Sequence, residues 1–192
     1  MKKLGLIILV SVIFLGLTSC IVRDDTATYK KEKKQITEEI IGIEVNDYSC
    51  NIQILSEDVE KVEIEFPNSE DNDLYAFEVV DNILKMDKRS TTVNLEENNV
   101  IIKLPLKKYD IISVVTTNGN IELNNTDATV YRCETQNGNI NGRIRGEKEE
   151  YEIAVEAENG NSNLKDDLNN REKKIEMKTQ NGNIDIGFLG TD

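Results

Sequence analysis

The chain of 192 residues contains no histidine and no tryptophan, and it has only two prolines. Without histidine, no imidazole can act as a general base, a catalytic-triad member or a metal ligand. Basic residues are also scarce, because 23 Lys and Arg face 36 Asp and Glu and give a formal net charge of −13. This charge argues against a nucleic-acid partner, since phosphate binding requires a basic surface. The length suits one domain with its own core.

The longest apolar run covers residues 4–17 and follows two lysines. Its last leucine begins the tetrapeptide LTSC at residues 17–20. A basic start, a short apolar run and a small-residue boundary are typical of a secretory signal peptide. The tetrapeptide resembles a bacterial lipobox, which implies cleavage before Cys20 and acylation of that residue. We therefore expect residues 1–19 to be a lipoprotein signal peptide and the mature protein to be anchored to a bacterial membrane, outside the cytoplasm. A plain signal peptide is the alternative.

Residues 20–35 are polar and show no sustained apolar period. They predict a flexible tether between the lipidated Cys20 and the folded domain. A basic cluster near its end predicts contact with anionic head groups at the membrane surface, and a solvated linker is the alternative. The cluster consists of Lys30, Lys31, Lys33 and Lys34.

Four Asn-Gly-Asn triplets recur at spacings of 19, 22 and 22 residues. The hexapeptide TQNGNI at residues 135–140 even returns unchanged at residues 179–184. Apolar and polar residues alternate with period two on both sides of each triplet, which predicts a strand, a turn and a second strand. The triplets are therefore predicted to be structural corners of a repeat: Asn118, Gly119, Asn120, Asn137, Gly138, Asn139, Asn159, Gly160, Asn161, Asn181, Gly182 and Asn183.

A fifth, degenerate copy of the repeat fits upstream, with Ser49 in the place of the first asparagine. Cys50 then replaces the corner glycine, and we expect its side chain to be exposed. Cys133 shares an apolar column with Val114 and Val155, so we expect it to be a small buried hydrophobic residue. Both cysteines are expected to be free thiols.

A repeat of this length favours an all-β fold with one β-solenoid domain over residues 36–192, in which each coil has 19–22 residues. Asparagine side chains on neighbouring coils can then form a hydrogen-bonded ladder, and the corner glycines can supply a positive φ. The alternative is an antiparallel β-sandwich in which each Asn-Gly pair is a hairpin turn. A sandwich, however, gives no reason to reuse one turn sequence at regular intervals.

The polar residue before each corner raises the possibility of a ligand row. It would consist of Gln136, Glu158 and Gln180, whose side chains are expected to be exposed. Regularly spaced polar rows suit glycans or extended surfaces. The alternative is that these residues serve only the repeat itself.

The run IIKLPLKKYDIISVVTTNGNIEL at residues 101–123, followed by further TxNGNI corners, resembles the bacterial putative-adhesin domain family. Members of that family combine an I-x-L-P segment, a strand and repeated T-x-N/S-G-D/N-I units. The resemblance extends over residues 36–188 and implies a β-solenoid-like, non-enzymatic envelope domain. Related domains accompany cell-envelope stress systems. The resemblance carries over no binding residue.

We therefore expect a membrane-anchored, non-catalytic binding or adhesion domain without cofactor or metal. Its expected partner is a cell-wall polymer, an envelope protein or a host surface. The alternative is an accessory or sensor component of the envelope stress response. An enzyme acting on cell-wall glycans is the third choice. It ranks last because the many acidic residues resemble solvated loop charges and not a converging catalytic pair.

Overall fold

The computed structural model describes residues 29–69, 73–89 and 99–190, and within these ranges the protein is all-β. The predicted signal peptide and Cys20 lie outside the described residues. A single 3-10 turn spans Lys148–Glu150, and no helix of the described ranges is long and apolar enough to cross a membrane. The strands of these ranges are β1 (Tyr29–Ile36), β2 (Gly42–Asn46), β3 (Asn51–Glu57), β4 (Val62–Ser69), β5 (Tyr75–Val80), β6 (Ile83–Lys88), β7 (Asn99–Pro105), β8 (Lys108–Asn118), β9 (Ile121–Asn137), β10 (Ile140–Ile144), β11 (Tyr151–Ala157), β12 (Lys173–Asn181) and β13 (Ile184–Phe188).

These strands form one curled, mixed sheet because β9 belongs to two halves of it. β9 changes direction near Asn125, whose φ of 56° lies in the left-handed region. The first half-sheet has the strand order β1-β4-β7-β3-β9-β10-β13, and the second has the order β5-β6-β2-β8-β9-β12-β11. The apolar side chains that alternate along both halves point inward and form one contiguous core.

Each corner joins a strand of the second half-sheet to a strand of the first, and we call this two-strand unit a rung. Parallel pairing keeps the corners of neighbouring rungs in register, so that Asn137 pairs with Asn118 on one side and with Asn181 on the other. Equivalent residues of the repeat therefore lie side by side. This registry is the physical reason that the triplets recur in the sequence.

The degenerate fifth repeat forms a rung of the same kind, which confirms that prediction. Val45 pairs with Val114 before its corner, and Ile52 pairs with Ile121 after it. The expectation that Cys50 is exposed was wrong, because its side chain is fully buried. Cys50 and Cys133 are both buried free thiols, so the prediction for Cys133 is confirmed.

The rungs do not stack in chain order. The β2–β3 rung lies between β6–β7 and β8–β9, while β12–β13 lies between β9–β10 and the rung that begins with β11. Three strand pairs in the described ranges are antiparallel: β1–β4, β4–β7 and β5–β6. The fold is therefore a curled mixed sheet and not a clear solenoid, although its corner rungs stack in parallel. Antiparallel pairing, on which the sandwich alternative depends, occurs among the first seven strands.

Strand β1 corrects the predicted tether. It begins at Tyr29 and pairs with β4 along its whole length, so residues 29–35 belong to the sheet. Lys33 Nζ lies 2.6 Å from Glu65 Oε1, and the Asn68 amide donates to Glu32 Oε2 at 2.8 Å. The polar residues of β1 resemble a tether in the sequence. Their partners on β4 are distant in sequence, so the local pattern does not reveal the pairing.

Three fully buried tyrosines secure the ends of the rungs opposite the Asn-Gly-Asn corners. Each hydroxyl donates a hydrogen bond to a backbone carbonyl a few residues upstream. The donor and acceptor pairs are Tyr109 with Pro105 at 3.2 Å, Tyr131 with Thr126 at 2.8 Å, and Tyr151 with Arg145 at 3.0 Å. The ring of each tyrosine is buried in the core, and its hydroxyl finds a hydrogen-bond acceptor there.

The corner glycines are required by space and not by φ. Among the described glycines, only Gly146 and Gly190 have a positive φ, so the expectation of a positive φ at the corners was wrong. A Cβ atom on Gly138 would lie 2.1 Å from the carbonyl oxygen of Gly119, and the other three corner glycines meet the backbone of the preceding rung equally closely. Any side chain at these positions would push neighbouring rungs apart.

We predict that Gly138→Ala lowers the free energy of unfolding by about 3 kcal/mol, since the new methyl group cannot avoid the backbone of the preceding rung at Gly119. The matched control is Gly187→Ala in β13, where a Cβ would meet its nearest atom at 3.6 Å and fits without strain. Denaturant unfolding of both variants measures the difference. Equal stability of the two variants would contradict the steric account.

Candidate functional site

The first asparagines of the four triplets form a continuous ladder of side-chain amides along the corner. Asn137 Nδ2 donates to Asn118 Oδ1 at 2.8 Å, and Asn181 donates to Asn137 at 2.7 Å. Asn159 donates to Asn181 at 3.0 Å. Asn137 and Asn181 each donate to one neighbouring rung and accept from the other, while Asn159 ends the ladder as a donor. The ladder fixes the register of these exposed side chains.

The third residues of the triplets form a second ladder that connects side chains to backbone. The side-chain oxygen of Asn120 accepts the backbone N–H of Asn139 at 2.8 Å, and Asn139 accepts that of Asn183 at 2.8 Å. The series ends where Asn183 accepts the N–H of Asn161 at 2.9 Å. These bonds satisfy backbone donors that the turn leaves out of the sheet.

The threonine two residues before a triplet serves the corner of the neighbouring rung. Thr135 Oγ1 donates to the Gly119 carbonyl at 2.9 Å, and Thr179 Oγ1 donates to the Gly138 carbonyl at 2.8 Å. In the outermost triplet rung this position is Ala157, which pairs with Thr179 and has no hydroxyl. The motif T-x-N-G-N therefore describes a contact between rungs and not within one.

The residues proposed as a ligand row lie next to one another on consecutive rungs. Their spatial order is Gln136, Gln180, Glu158, because β12 is inserted between β9 and β11. Thr117 occupies the same column on the preceding rung. Gln136 and Glu158 are exposed and Gln180 is half-buried. Adjacent strands are about 4.8 Å apart, so the row is a regular array of polar groups.

Charged side chains border this row on the outer face of the second half-sheet. Lys178 Nζ lies 2.8 Å from Glu156 and 3.8 Å from Glu158, and Arg132 Nε lies 2.7 Å from Glu176. A shallow groove of about 530 Å³ lies over these residues. Exposed pairs of this kind contribute little to stability, so their charges are available to a ligand at small cost.

The basic cluster of β1 is largely engaged within the domain. Lys30 Nζ lies 2.9 Å from Glu32, Lys33 pairs with Glu65, and Lys34 Nζ lies 5.2 Å from the ring centroid of Phe77. Lys31 is exposed on the same strand. Contact of these lysines with a membrane surface stays a prediction.

A buried polar cluster at the first corner escaped the sequence analysis. Asp47 occupies the column in which Thr116, Thr135 and Thr179 lie on three of the triplet rungs. Its Oδ1 accepts the backbone N–H groups of Tyr48, Ser49 and Cys50 at 2.6, 2.7 and 2.9 Å. The sequence does contain a signal for this cluster. In the Ser49 repeat, aspartate stands where other repeats have threonine and cysteine stands where they have glycine, and aspartate often caps a turn.

Two further side chains complete the cluster around Asp47. The Tyr75 hydroxyl donates to Asp47 Oδ2 at 2.6 Å. Lys88 Nζ lies 3.3 Å from Asp47 Oδ1, donates to Ser49 Oγ at 2.8 Å and contacts Cys50 Sγ at 3.3 Å. The side chains of Lys88 and Asp47 have no exposed surface, so this is a fully buried ion pair with several hydrogen bonds.

The cysteines of the domain are poor nucleophiles in this environment. Burial, followed by the Asp47 charge, raises the pKa of Cys50 above its usual value. Burial alone raises the pKa of Cys133 to about 12. Because the thiolate is the reactive form, both side chains are unreactive at neutral pH. In the described ranges, no group of three or more His, Cys, Asp or Glu side chains could hold a metal ion.

No protein-family model matches the chain, and no curated protein matches it. Solved structures do match. The chain is similar to a putative cell adhesion protein from Clostridium sporogenes, with a TM-score of 0.50 and 17% identity, over 84% of this chain and 100% of that one. A putative adhesin from Bacteroides fragilis matches with a TM-score of 0.42 and 14% identity, over 83% of this chain and 97% of that one. At 17% identity the first likeness shows a shared fold and nothing more.

We predict that Ala157→Thr raises the free energy of unfolding by about 1 kcal/mol, because the new hydroxyl can donate to the Gly182 carbonyl. The control is Ala157→Val, which has the same branched shape without the hydroxyl. Denaturant unfolding separates the two effects. A valine variant as stable as the threonine variant would show that the hydrogen bond contributes nothing.

The Asp47 cluster predicts acid sensitivity. Burial alone raises the pKa of Asp47, but hydrogen bonds from Tyr75 and the corner N–H groups, together with the Lys88 charge, outweigh it and lower the pKa. A lowered pKa contributes stability above about pH 4 that is lost as the pH falls through the folded-state pKa. Asp47→Asn should therefore cost about 3 kcal/mol at pH 7 and flatten the stability profile below pH 4.

The control for this measurement is Asp110→Asn, which removes an exposed carboxylate from the same domain. It should leave both the stability at pH 7 and the acid profile close to those of the wild type. Chemical unfolding measured between pH 7 and pH 2 tests both variants. An Asp47→Asn variant with the wild-type acid profile would contradict the role given to the buried pair.

Proposed function

We propose that the protein is a non-catalytic binding domain of the adhesion type, presented outside the cytoplasm. The observation that carries this proposal is the row formed by Thr117, Gln136, Gln180 and Glu158 on four consecutive rungs. Its regular spacing suits a partner with a repeating surface, such as a cell-wall polymer or an extended host polymer. The shared fold with a putative cell adhesion protein supports the same kind of role.

The chemistry of the row suits hydroxyl-rich partners. Amide and hydroxyl side chains both donate and accept hydrogen bonds, and Glu158 adds a strong acceptor at one end. The two asparagine ladders beside the row hold its rungs in register, so the spacing of the row is set before a partner binds. Individual contacts are weak, and affinity comes from engaging several rungs of one polymer at once.

We also propose how the domain is anchored. Lipidation of Cys20 would hold the chain on the membrane, and the link to the domain would then comprise residues 20–28, ahead of β1. The domain would begin at Tyr29 instead of residue 36. Within it, the parallel corner rungs act as a short solenoid that is closed on one side by the antiparallel strands β1, β4 and β5. The lysines of β1 would face the membrane from this side.

The test replaces the row by threonine, the residue that the same column carries at position 117. We predict that the combined variant Gln136→Thr, Gln180→Thr and Glu158→Thr binds purified cell wall or host matrix about tenfold more weakly than the wild type. Pull-down of the chain lacking residues 1–20 measures retention on wall, on matrix and on solubilised membranes. Unfolding curves verify that each variant is folded.

The matched control carries Gln53→Thr, Glu122→Thr and Asn141→Thr on the outer face of the first half-sheet. These three residues also lie on consecutive rungs, and their replacement changes the net charge by the same amount. The control should retain wild-type binding. Equal losses in both variants, or capture of one membrane protein with no retention on wall or matrix, would contradict the proposal. The latter result would favour an envelope-stress component.

A further inference from the structure

Two cavities lie at the ends of the rungs opposite the Asn-Gly-Asn corners. Their volumes are about 80 Å³ and 370 Å³, and Asn125, Asp127 and Arg145 line both. These residues sit where β9 changes direction and where β10 ends. The site is thus separated from the proposed ligand row by the length of a strand, about 20 Å.

Two residues that line the smaller cavity carry a buried polar atom without a partner in the described part of the protein. These atoms are Ser56 Oγ and Asp127 Oδ1, the two buried side-chain oxygen or nitrogen atoms of the described residues without a hydrogen bond. Both residues line this cavity, and Ser56 is only 5% exposed. A buried polar atom without a partner costs about 1–3 kcal/mol, so an external group that satisfies both atoms would be stabilised here.

The charge around these cavities is opposite to that of the chain. Among the residues that line the two cavities, one carboxylate, Asp127, accompanies four basic side chains, and Glu150 lies beside them as the partner of Lys173; the formal net charge of the whole protein is −13. The basic side chains are Lys107, Lys108, Arg145 and Lys173. A local excess of positive charge on an acidic protein attracts anions to this one place.

Two of the basic residues already have partners in the domain. Lys107 Nζ lies 5.4 Å from the ring centroid of Tyr109, and Lys173 Nζ lies 2.8 Å from Glu150 Oε2. No such ion pair or ring contact engages Lys108 or Arg145 within the described residues. These two side chains are therefore the ones available to an anion.

Arg145 is held in place without using its terminal nitrogens. Its Nε donates to Asn125 Oδ1 at 2.8 Å, and Asn125 Nδ2 donates in turn to the Ser56 carbonyl at 3.0 Å. The guanidinium is thus fixed relative to Ser56, while its terminal N–H groups make no hydrogen bond with the described part of the chain. A guanidinium oriented in this way matches the geometry of a phosphate group.

We infer that this site binds a phosphate ester that carries a hydroxyl group beside the phosphate. Arg145, Lys108 and the Ser56 hydroxyl donate to the phosphate oxygens. The ligand hydroxyl donates to Asp127 Oδ1, which a bare phosphate would leave unsatisfied. Polyol phosphates have this chemistry, whether they belong to a wall polymer or to a lipid head group. The assignment goes beyond the proposed function, since it concerns a different end of the rungs.

The experiment uses the full chain in neutral detergent and follows thermal unfolding with glycerol 1-phosphate, inorganic phosphate or glycerol as the probe. Glycerol 1-phosphate at ten times its Kd should raise the melting temperature by about 4 °C. Inorganic phosphate should give a smaller rise, and glycerol should give none. Absence of a rise with glycerol 1-phosphate overturns the inference.

Three variants make the outcome specific. Arg145→Gln should abolish the rise in melting temperature, whereas Arg143→Gln, which removes an exposed arginine from β10, should retain it. Ser56→Ala should raise the melting temperature of the free protein, because it removes an unpartnered hydroxyl, and should weaken the response to glycerol 1-phosphate. An undiminished response in Arg145→Gln or in Ser56→Ala overturns the assignment.

Adding phosphatidylglycerol to the micelles distinguishes the two sources of the phosphate, a lipid head group and a wall polymer. A rise in melting temperature that occurs in the wild type and not in Arg145→Gln supports a lipid head group as the ligand. A response to glycerol 1-phosphate without a response to phosphatidylglycerol supports a polyol phosphate of a wall polymer. A response to the lipid that survives in Arg145→Gln overturns the site as its cause.

Discussion

The close approach of the backbone at neighbouring corners is the constraint on which the rest of the structure depends. The Gly138 corner leaves no room for a Cβ, which would lie 2.1 Å from the Gly119 carbonyl oxygen. Rungs that approach this closely bring turn carbonyls and N–H groups together without regular sheet partners. The flanking threonine and asparagine side chains satisfy those groups, so each rung supplies hydrogen bonds to the next and the same short sequence must recur.

The first corner shows what happens when the repeat lacks its usual residues. Cys50 stands in place of glycine, and Asp47 stands in place of threonine. The aspartate accepts hydrogen bonds from three successive backbone N–H groups of the turn and from the Tyr75 hydroxyl, and its buried charge is balanced by Lys88. At this corner, the buried Asp47–Lys88 pair thus stabilises the turn in place of the threonine and glycine of the other corners. Both solutions keep the outer side chains of the rungs in register, and a regular exposed array depends on that register.

Local pattern predicted the strands, the corners and the register of the Ser49 rung, because period-two alternation and repeat spacing are properties of neighbouring residues. It did not predict that β12 lies between β9 and β11, since rungs of nearly identical sequence can exchange places without altering the pattern. The pairing of β1 with β4 was missed for a similar reason, as charged strands look like linkers until their partners are known. The cavity around Ser56 and Arg145 joins residues from separate rungs and has no local signature.

The spatial order of the rungs is the central claim, because it makes Gln136 and Gln180 neighbours and places Glu158 beyond them. Disulfide trapping tests it directly. Two cysteines on adjacent strands can be bridged, whereas cysteines two strands apart, about 9–10 Å, cannot. The account predicts rapid oxidation of the pair Gln136→Cys and Gln180→Cys and none of the pair Gln136→Cys and Glu158→Cys in the folded protein. The opposite pattern would show that the rungs stack in chain order and would contradict the account.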